Sequence, residues 1–279
     1  MNKIVAKEIL GEKIKKLVIE APLIAHKALP GQFVMVRVDE AGERIPLTLA
    51  GADPVKGTVT IIFQEVGTTT AKLGALNEGD SVLNFAGPLG RPVEMENFGH
   101  VCIVAGGVGA AFVFWMAQAY KEKGNRLTVI LGARNKELII LEKELRAVAD
   151  VFLLSTDDGT AGTKGFVTDV LTGLLKSGER VDYVLTAGPL PMMKRVAGVT
   201  QPFKVRTVAS LNPVMVDGTG MCGGCRVTIG GSVKFACVDG TDFDAHQVDF
   251  DELMRRTTLF KEKETESLQR HVCKLQGTA

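Results

Sequence analysis

"VCIVAGGVGAAFVFWMAQAY", residues 101–120, runs for twenty residues without a charge, long enough to cross a bilayer. Read as a membrane helix, its GG-x-G would be a helix-packing motif. Gly106 and Gly107, however, divide it into a short β-branched run, "VCIVA", and a helix-like run, "AAFVFWMAQAY". That is how a strand, a turn and a helix read, and the membrane reading gives way to it. Glycines in such a turn let a backbone approach a pyrophosphate, and the helix N-terminus offers unpaired N–H groups and a positive dipole. The same motif also serves close packing of helix on strand, so taken alone it leaves both readings open.

On the carboxyl side, "RLTVILGA" (126–133), "ADVFLLST" (149–156) and "VDYVLTAG" (181–188) alternate with helix-sized segments. Alternation of this kind predicts a parallel sheet with covered faces. Ligands of such sheets bind beyond the carboxyl ends of the strands, where "STDDGTAGTKG" (155–165) and "LTAGPLPMM" (185–193) fall. On the amino side, "KKLVIEA", "GQFVMVRV", "GTVTIIFQEV" and "DSVLNFA" are short strand-like runs parted by Gly, Pro and Asp, which predicts an antiparallel barrel or sandwich. The expected organisation is a β-rich unit over 1–97, an α/β unit over 98–205, a small glycine- and cysteine-rich unit over 206–250, and a helical tail over 251–279.

The 279 residues are 46% hydrophobic and 23% charged, enough apolar material for more than one core. With 33 basic and 32 acidic residues and no Lys/Arg block, neither nucleic acid nor an anionic membrane is expected as the main partner. The N-terminus lacks the apolar core of a signal peptide, and three of the five cysteines cluster at metal-like spacing. A reducing, cytoplasmic location is expected.

In "ERIPLTLA" (43–50), even spacing puts Arg44, Pro46 and Thr48 on one face of a strand. An arginine fork and a hydroxyl there could hold a phosphate and the edge of a ring, and a surface strand with an exposed arginine is the plainer alternative. "EVGTTT" (65–70) offers three hydroxyls and backbone N–H groups, either a second phosphate contact or simply a turn. In "DGTGMCGGC" (217–225), Cys222 and Cys225 stand in C-x2-C spacing, and Cys237 follows after eleven residues. A plant-type [2Fe–2S] pattern would place a fourth cysteine where Asp217 stands. A glycine-dense loop is costly to order around nothing. A cluster with one oxygen ligand, a Cys3Asp zinc site and buried inert thiols all remain open, with the spacing favouring the first. Cys102 and Cys273 read as ordinary residues.

The order of motifs, R-x-P-x-T (44–48), VG-x-T-T (66–70), "GPLG" (87–90), GGVG (106–109), "GPLPMM" (188–193) and the cysteine loop, resembles the ferredoxin–NADP reductase-like flavoproteins along nearly the whole chain. Within them it is similar to the electron-transfer subunit of dihydroorotate dehydrogenase B, which carries four cysteines. It is still more similar to the small subunit of the NADH-dependent reduced ferredoxin:NADP oxidoreductases, also described as the sulfide dehydrogenase beta subunit, known for an aspartate plus three cysteines. Thr68-Thr69, where the dihydroorotate group often has a second glycine, favours the latter.

The resemblance implies an antiparallel FAD-binding β-barrel, a doubly wound NAD-binding domain and a small [2Fe–2S] domain. Arg44, Pro46, Leu47 and Thr48 would bind FAD, Phe63 and Gln64 would line the flavin and its adenylate, and Gly67, Thr69 and Thr70 would meet its phosphates. Gly107, Val108 and Gly109 would meet the NAD(H) pyrophosphate, with Asp157, Asp158, Gly188, Pro189 and Met192 at the nicotinamide-nucleotide cleft. Asp217, Cys222, Cys225 and Cys237 would ligate the cluster.

The implied activity passes a hydride from NADH to FAD and single electrons to the cluster, with no acid–base dyad. A larger FAD and iron–sulfur subunit would complete a bifurcating heterodimer that meets ferredoxin. The alternatives are a dihydroorotate dehydrogenase subunit and a zinc-stabilised nucleotide-binding regulatory module. NAD(H) is the expected nucleotide, although Arg134 in "LGARNKE" is in reach of a 2′-phosphate.

Overall fold

The computed structural model of the chain describes residues 2–275, the side chains of 272–275 excepted. The side chain of Cys273 thus lies outside the described residues. In chain order the first elements are β1 (Asn2–Gly11), β2 (Ile14–Glu20), α1 (Pro22–Ala25), β3 (Phe33–Arg37), β4 (Ile45–Asp53), β5 (Thr58–Gln64), α2 (Thr68–Ala75), β6 (Ser81–Val82) and β7 (Asn84–Leu89). They are followed by β8 (His100–Gly106), α3 (Gly109–Glu122), β9 (Arg126–Ala133), α4 (Glu142–Val148), β10 (Val151–Thr156), β11 (Thr163–Lys164), α5 (Val167–Lys176), β12 (Tyr183–Ala187), α6 (Leu190–Thr200) and β13 (Arg206–Ser210). The chain closes with β14 (Arg226–Ile229), β15 (Ser232–Phe235), α7 (Ala236–Asp239), β16 (Asp242–Asp244), α8 (Phe250–Thr257) and α9 (Lys261–Leu275).

The first sheet is antiparallel in the order β6-β1-β2-β5-β4-β3-β7. Its two edge strands are neighbours in the chain, so it curls into a nearly closed barrel. Alternation builds the interior: Leu17 and Ile19 of β2 face Val59, Ile61 and Phe63 of β5, all at most 2% exposed. Each such side chain contributes about 1.5–3 kcal/mol by leaving water.

The second sheet runs β11-β10-β9-β8-β12-β13-β16. From β11 to β13 the neighbours are parallel, and the chain moves outward from β8 in both directions, which makes the sheet doubly wound. β8 is buried at every residue, as a central parallel strand requires. Residues 101–120 are β8, a glycine turn and most of α3, and no helix among the described residues is long and apolar enough to cross a membrane.

This sheet continues beyond residue 205, where the sequence reading ends the α/β unit. β13 is its last parallel strand, and β16 adds an antiparallel edge from the segment expected to form the cluster unit. Within that segment β14 and β15 form a separate hairpin.

Candidate functional site

A cleft of about 590 Å³ opens at the carboxyl ends of β8, β9, β10 and β12, walled on one side by the barrel. Gln64 reaches it from the barrel; Gly107, Val108, Asp157, Gly188, Pro189 and Met192 line it from the doubly wound sheet. Here the two readings of GG-x-G divide between its glycines. A Cβ on Gly109 would lie 2.3 Å from the Ala187 carbonyl oxygen, and one on Gly106 would lie 2.4 Å from Met192 Sδ, so both serve close packing. Gly107 has φ +55 and nothing within 4 Å of its would-be Cβ. It forms the cleft wall, and its own N–H is fixed to the Gly132 carbonyl at 2.8 Å. Among the described residues the N–H groups of Val108 and Gly109 have no acceptor, which leaves α3 with free donors at its start.

Two cations share the cleft. Arg134 lines it after β9, and Arg195 enters from α6 with its guanidinium carbon 5.4 Å from the Phe166 ring centre. Neither forms an ion pair among the described residues. Arg195 is absent from the sequence reading. Its only signal is the four-residue step from Pro191, which puts both on one face of α6. Asp158, expected at the cleft, instead closes its own turn: one carboxylate oxygen accepts from the Thr160 N–H at 2.9 Å and hydroxyl at 2.6 Å, and these bonds hold its pKa below the usual carboxylate range.

The residues expected around the flavin divide in the same way. Arg44 is exposed just ahead of β4, with no ion-pair partner among the described residues, while Pro46, Leu47 and Thr48 are half-buried on that strand. Phe63 does not line a cofactor surface here. It is 2% exposed in the barrel core, and only its neighbour Gln64 faces the cleft. Thr69 and Thr70 are buried, and the Thr70 hydroxyl is engaged by Val66 N, Gly67 N and the Gly67 carbonyl, each at 3.0 Å. The N–H groups of Thr68 and Thr69 lack acceptors among the described residues, so backbone rather than hydroxyls is what this turn offers a phosphate.

In the cysteine loop, Cys225 and Cys237 are buried with their Sγ atoms 3.2 Å apart and unbonded. Burial, and then its neighbour Cys225, push the Cys237 thiol up to about 12. Cys222 is exposed, and its Sγ accepts the Gly224 N–H at 3.4 Å; Cys225 Sγ accepts the Cys237 N–H at 3.5 Å. Left-handed glycines 218, 220 and 223 wrap the loop, and a Cβ on Gly218 would meet Met35 of the barrel at 2.7 Å. Asp217 accepts the Thr219 N–H at 2.9 Å and the Cys222 N–H at 3.0 Å, which lowers its pKa. Among the described residues no three acidic, histidine or cysteine side chains converge as a finished metal cage. The donor set fits an iron–sulfur group: soft thiols on a turning loop, with N–H groups already directed at sulfur. Asp239 is spent on the Phe235 N–H at 2.7 Å.

The strand of the flavin motif and the cysteine loop are contiguous. Phe33 and Met35 of β3 pack with Cys225 and Cys237 on one side and pair in register with Thr48 and Pro46 of β4 on the other.

Residues 212–249 match the family described as the iron–sulfur cluster binding domain of dihydroorotate dehydrogenase B, and residues 103–198 match the oxidoreductase NAD-binding domain. The chain is 46% identical over 270 residues to a dihydroorotate dehydrogenase B (NAD(+)) electron transfer subunit homolog of Thermotoga maritima, covering 97% of this chain and 95% of that one. It is 33% identical over 243 residues to the dihydroorotate dehydrogenase B (NAD(+)) electron transfer subunit of Shouchella clausii, covering 84% and 91%. Among solved structures, one from the NADH-dependent reduced ferredoxin-NADP oxidoreductase, described for flavin-based electron bifurcation, superposes with a TM-score of 0.92 at 44% identity over 98% of each chain.

Proposed function

Because the chain belongs to the family of the dihydroorotate dehydrogenase B electron-transfer subunit and its homologues, we propose that it is the small subunit of a heterodimeric, bifurcating ferredoxin:NADP oxidoreductase. It is an electron-transfer subunit of an NAD(P)H-dependent iron–sulfur flavoprotein oxidoreductase. The partner would be a larger subunit with its own FAD and iron–sulfur centres, through which ferredoxin is met. The free buried thiols suit the reducing cytoplasm.

Bound FAD would supply the exchange between a hydride's electron pair from NADH and the single electrons of a [2Fe–2S] cluster, chemistry that belongs to the cofactors. The chain's residues position and screen. Gly107 and the free N–H groups of Val108 and Gly109 receive the nucleotide pyrophosphate. Gln64 extends the barrel into the same cleft, where nucleotide and flavin would meet. Arg44 and the first turn of α2 hold the FAD phosphates. Cys222, Cys225 and Cys237 hold the cluster, with Asp217 as the oxygen ligand. Phe33, Met35 and Phe243, packed against Cys225 and Cys237, would keep water from the barrel side of the cysteine loop.

The observation that carries this reading is the packing of the cysteine loop on β3, whose paired neighbour β4 carries the R-x-P-x-T motif. The purified, reconstituted chain should bind about one FAD and show both flavin and iron–sulfur absorption. Arg44→Ala should weaken FAD by ~1.5–3 kcal/mol, the worth of a charge-assisted hydrogen bond. A colourless protein would leave the zinc-stabilised module standing, and unchanged FAD affinity in the variant would remove Arg44 from the site.

A further inference from the structure

Beyond the flavin-binding motifs, the C-terminal helix has no part in the site as described above. α9 is exposed and charged along most of its length, and a helix of about 15 residues with this composition is marginal in water unless it docks. It docks on α2. The Ser267 hydroxyl lies 3.0 Å from that of Thr68, the first residue of α2, beside Gly67 and the two N–H groups without acceptors. Residues three and four positions from Ser267 share its face, among them Lys263, Glu264 and Arg270. Lys263 has no ion-pair partner among the described residues, and Arg270 reaches only Glu266 of its own helix, at 3.7 Å. A face carrying Lys263 and Arg270 against Glu264 therefore lies beside a turn of the barrel that has backbone donors to spare.

We propose that α9 is a strap over the flavin phosphate site, latched by Ser267 on Thr68, with Lys263 and Arg270 supplying positive charge beside the bound phosphates. This rests on the reading of residues 66–70 as a phosphate turn. Held phosphates would stabilise the docked helix, and the docked helix would slow the escape of FAD, since each improves the other's binding by the same factor.

The test follows FAD release from the holoprotein by its fluorescence in three forms: the full chain, a chain ending at Phe260, and the double variant Lys263→Glu/Arg270→Glu. Release should be about tenfold faster in both altered forms at low salt, the scale of a lost charge-assisted contact. In the charge variant the increase should shrink at high salt, because screening removes what the substitution removed. A structural effect alone would not depend on salt. Bound FAD should also slow tryptic cleavage after Lys263 and Arg270 in the full chain. Unchanged release in the charge variant, or an increase insensitive to salt, overturns the strap. If Arg44→Ala speeds release while both α9 forms match the full chain, the strap falls and the flavin site stands. A full chain that binds no FAD defeats both.

Discussion

Asp242 lies on β16 opposite Ser210 of β13, and the hydroxyl of its neighbour Thr241 reaches the Gly31 carbonyl of the barrel at 3.4 Å. Part of the residue is accessible, but its Oδ2 is enclosed and lacks a hydrogen-bond partner. Burial raises its carboxyl to about 6, against smaller lowering by the Ser210 and Thr241 hydroxyls. With its folded pKa above the unfolded 3.8, Asp242 contributes stability that is fully present below that value and is lost as pH rises through about 6. The loss is of order 3 kcal/mol. Asp242→Asn should therefore melt close to wild type near pH 4 and clearly above it at pH 7.5. A difference between the two proteins that does not change with pH would show the carboxyl to be solvated. Nothing in "VDGTDFDAH" announces this residue, because polar residues among glycines read as a surface loop. The cysteine spacing a few positions earlier stands out in the sequence because spacing is a local property. A buried carboxyl is made by three distant segments meeting.

At the scale of elements, the turn between β8 and α3 separates packing from binding by one test. Gly109→Ala forces a Cβ against the Ala187 carbonyl and should cost about 1–3 kcal/mol of stability, with NADH affinity falling only as folding does. Gly107→Ala meets no atom but must hold a left-handed φ, about 1–2 kcal/mol, and adds a methyl to the cleft wall. It should weaken NADH well beyond its effect on melting, as read by titration and thermal unfolding of both variants. Wild-type NADH affinity in Gly107→Ala would return the motif to packing alone. The strand–turn–helix was legible because two glycines interrupt an apolar run at one point. The facing of β5 was not: in "TIIFQ" both Ile62 and Phe63 are apolar, since Phe63 fills the barrel while Ile62 joins the core shared with the doubly wound sheet. With two buried faces, alternation no longer tells which one meets a cofactor. Arg195 was hidden for another reason. It sits more than a turn beyond the glycine loop, on a helix whose facing is fixed by tertiary packing.

At the scale of the molecule, the units proposed from sequence do not have separate cores. Ile14, Ala50 and Ile62 of the barrel pack with Ala110, Val113 and Met116 of α3. Leu190 and Met193 of α6 pack with Val227, Phe250 and Leu253 around the cluster hairpin, and Phe33 and Met35 of the barrel pack with Cys225 and Cys237. Each pair of units thus shares buried apolar surface, and β16 ties the cluster segment into the large sheet. Electron transfer between a two-electron and a one-electron carrier calls for a fixed separation, and three mutually fused cores supply it without a flexible linker. Such a body should unfold as one unit. In guanidinium titrations of the holoprotein, flavin release, cluster bleaching and loss of helical circular dichroism should share a midpoint. Because both cofactors bind the native state alone, removing the iron should lower all remaining transitions together. Cluster bleaching well before the helical signal falls, with flavin still bound, would mean that the cysteine segment opens by itself. The contacts of Cys225 and Cys237 with β3 would then be too weak to set the distance between the two redox groups.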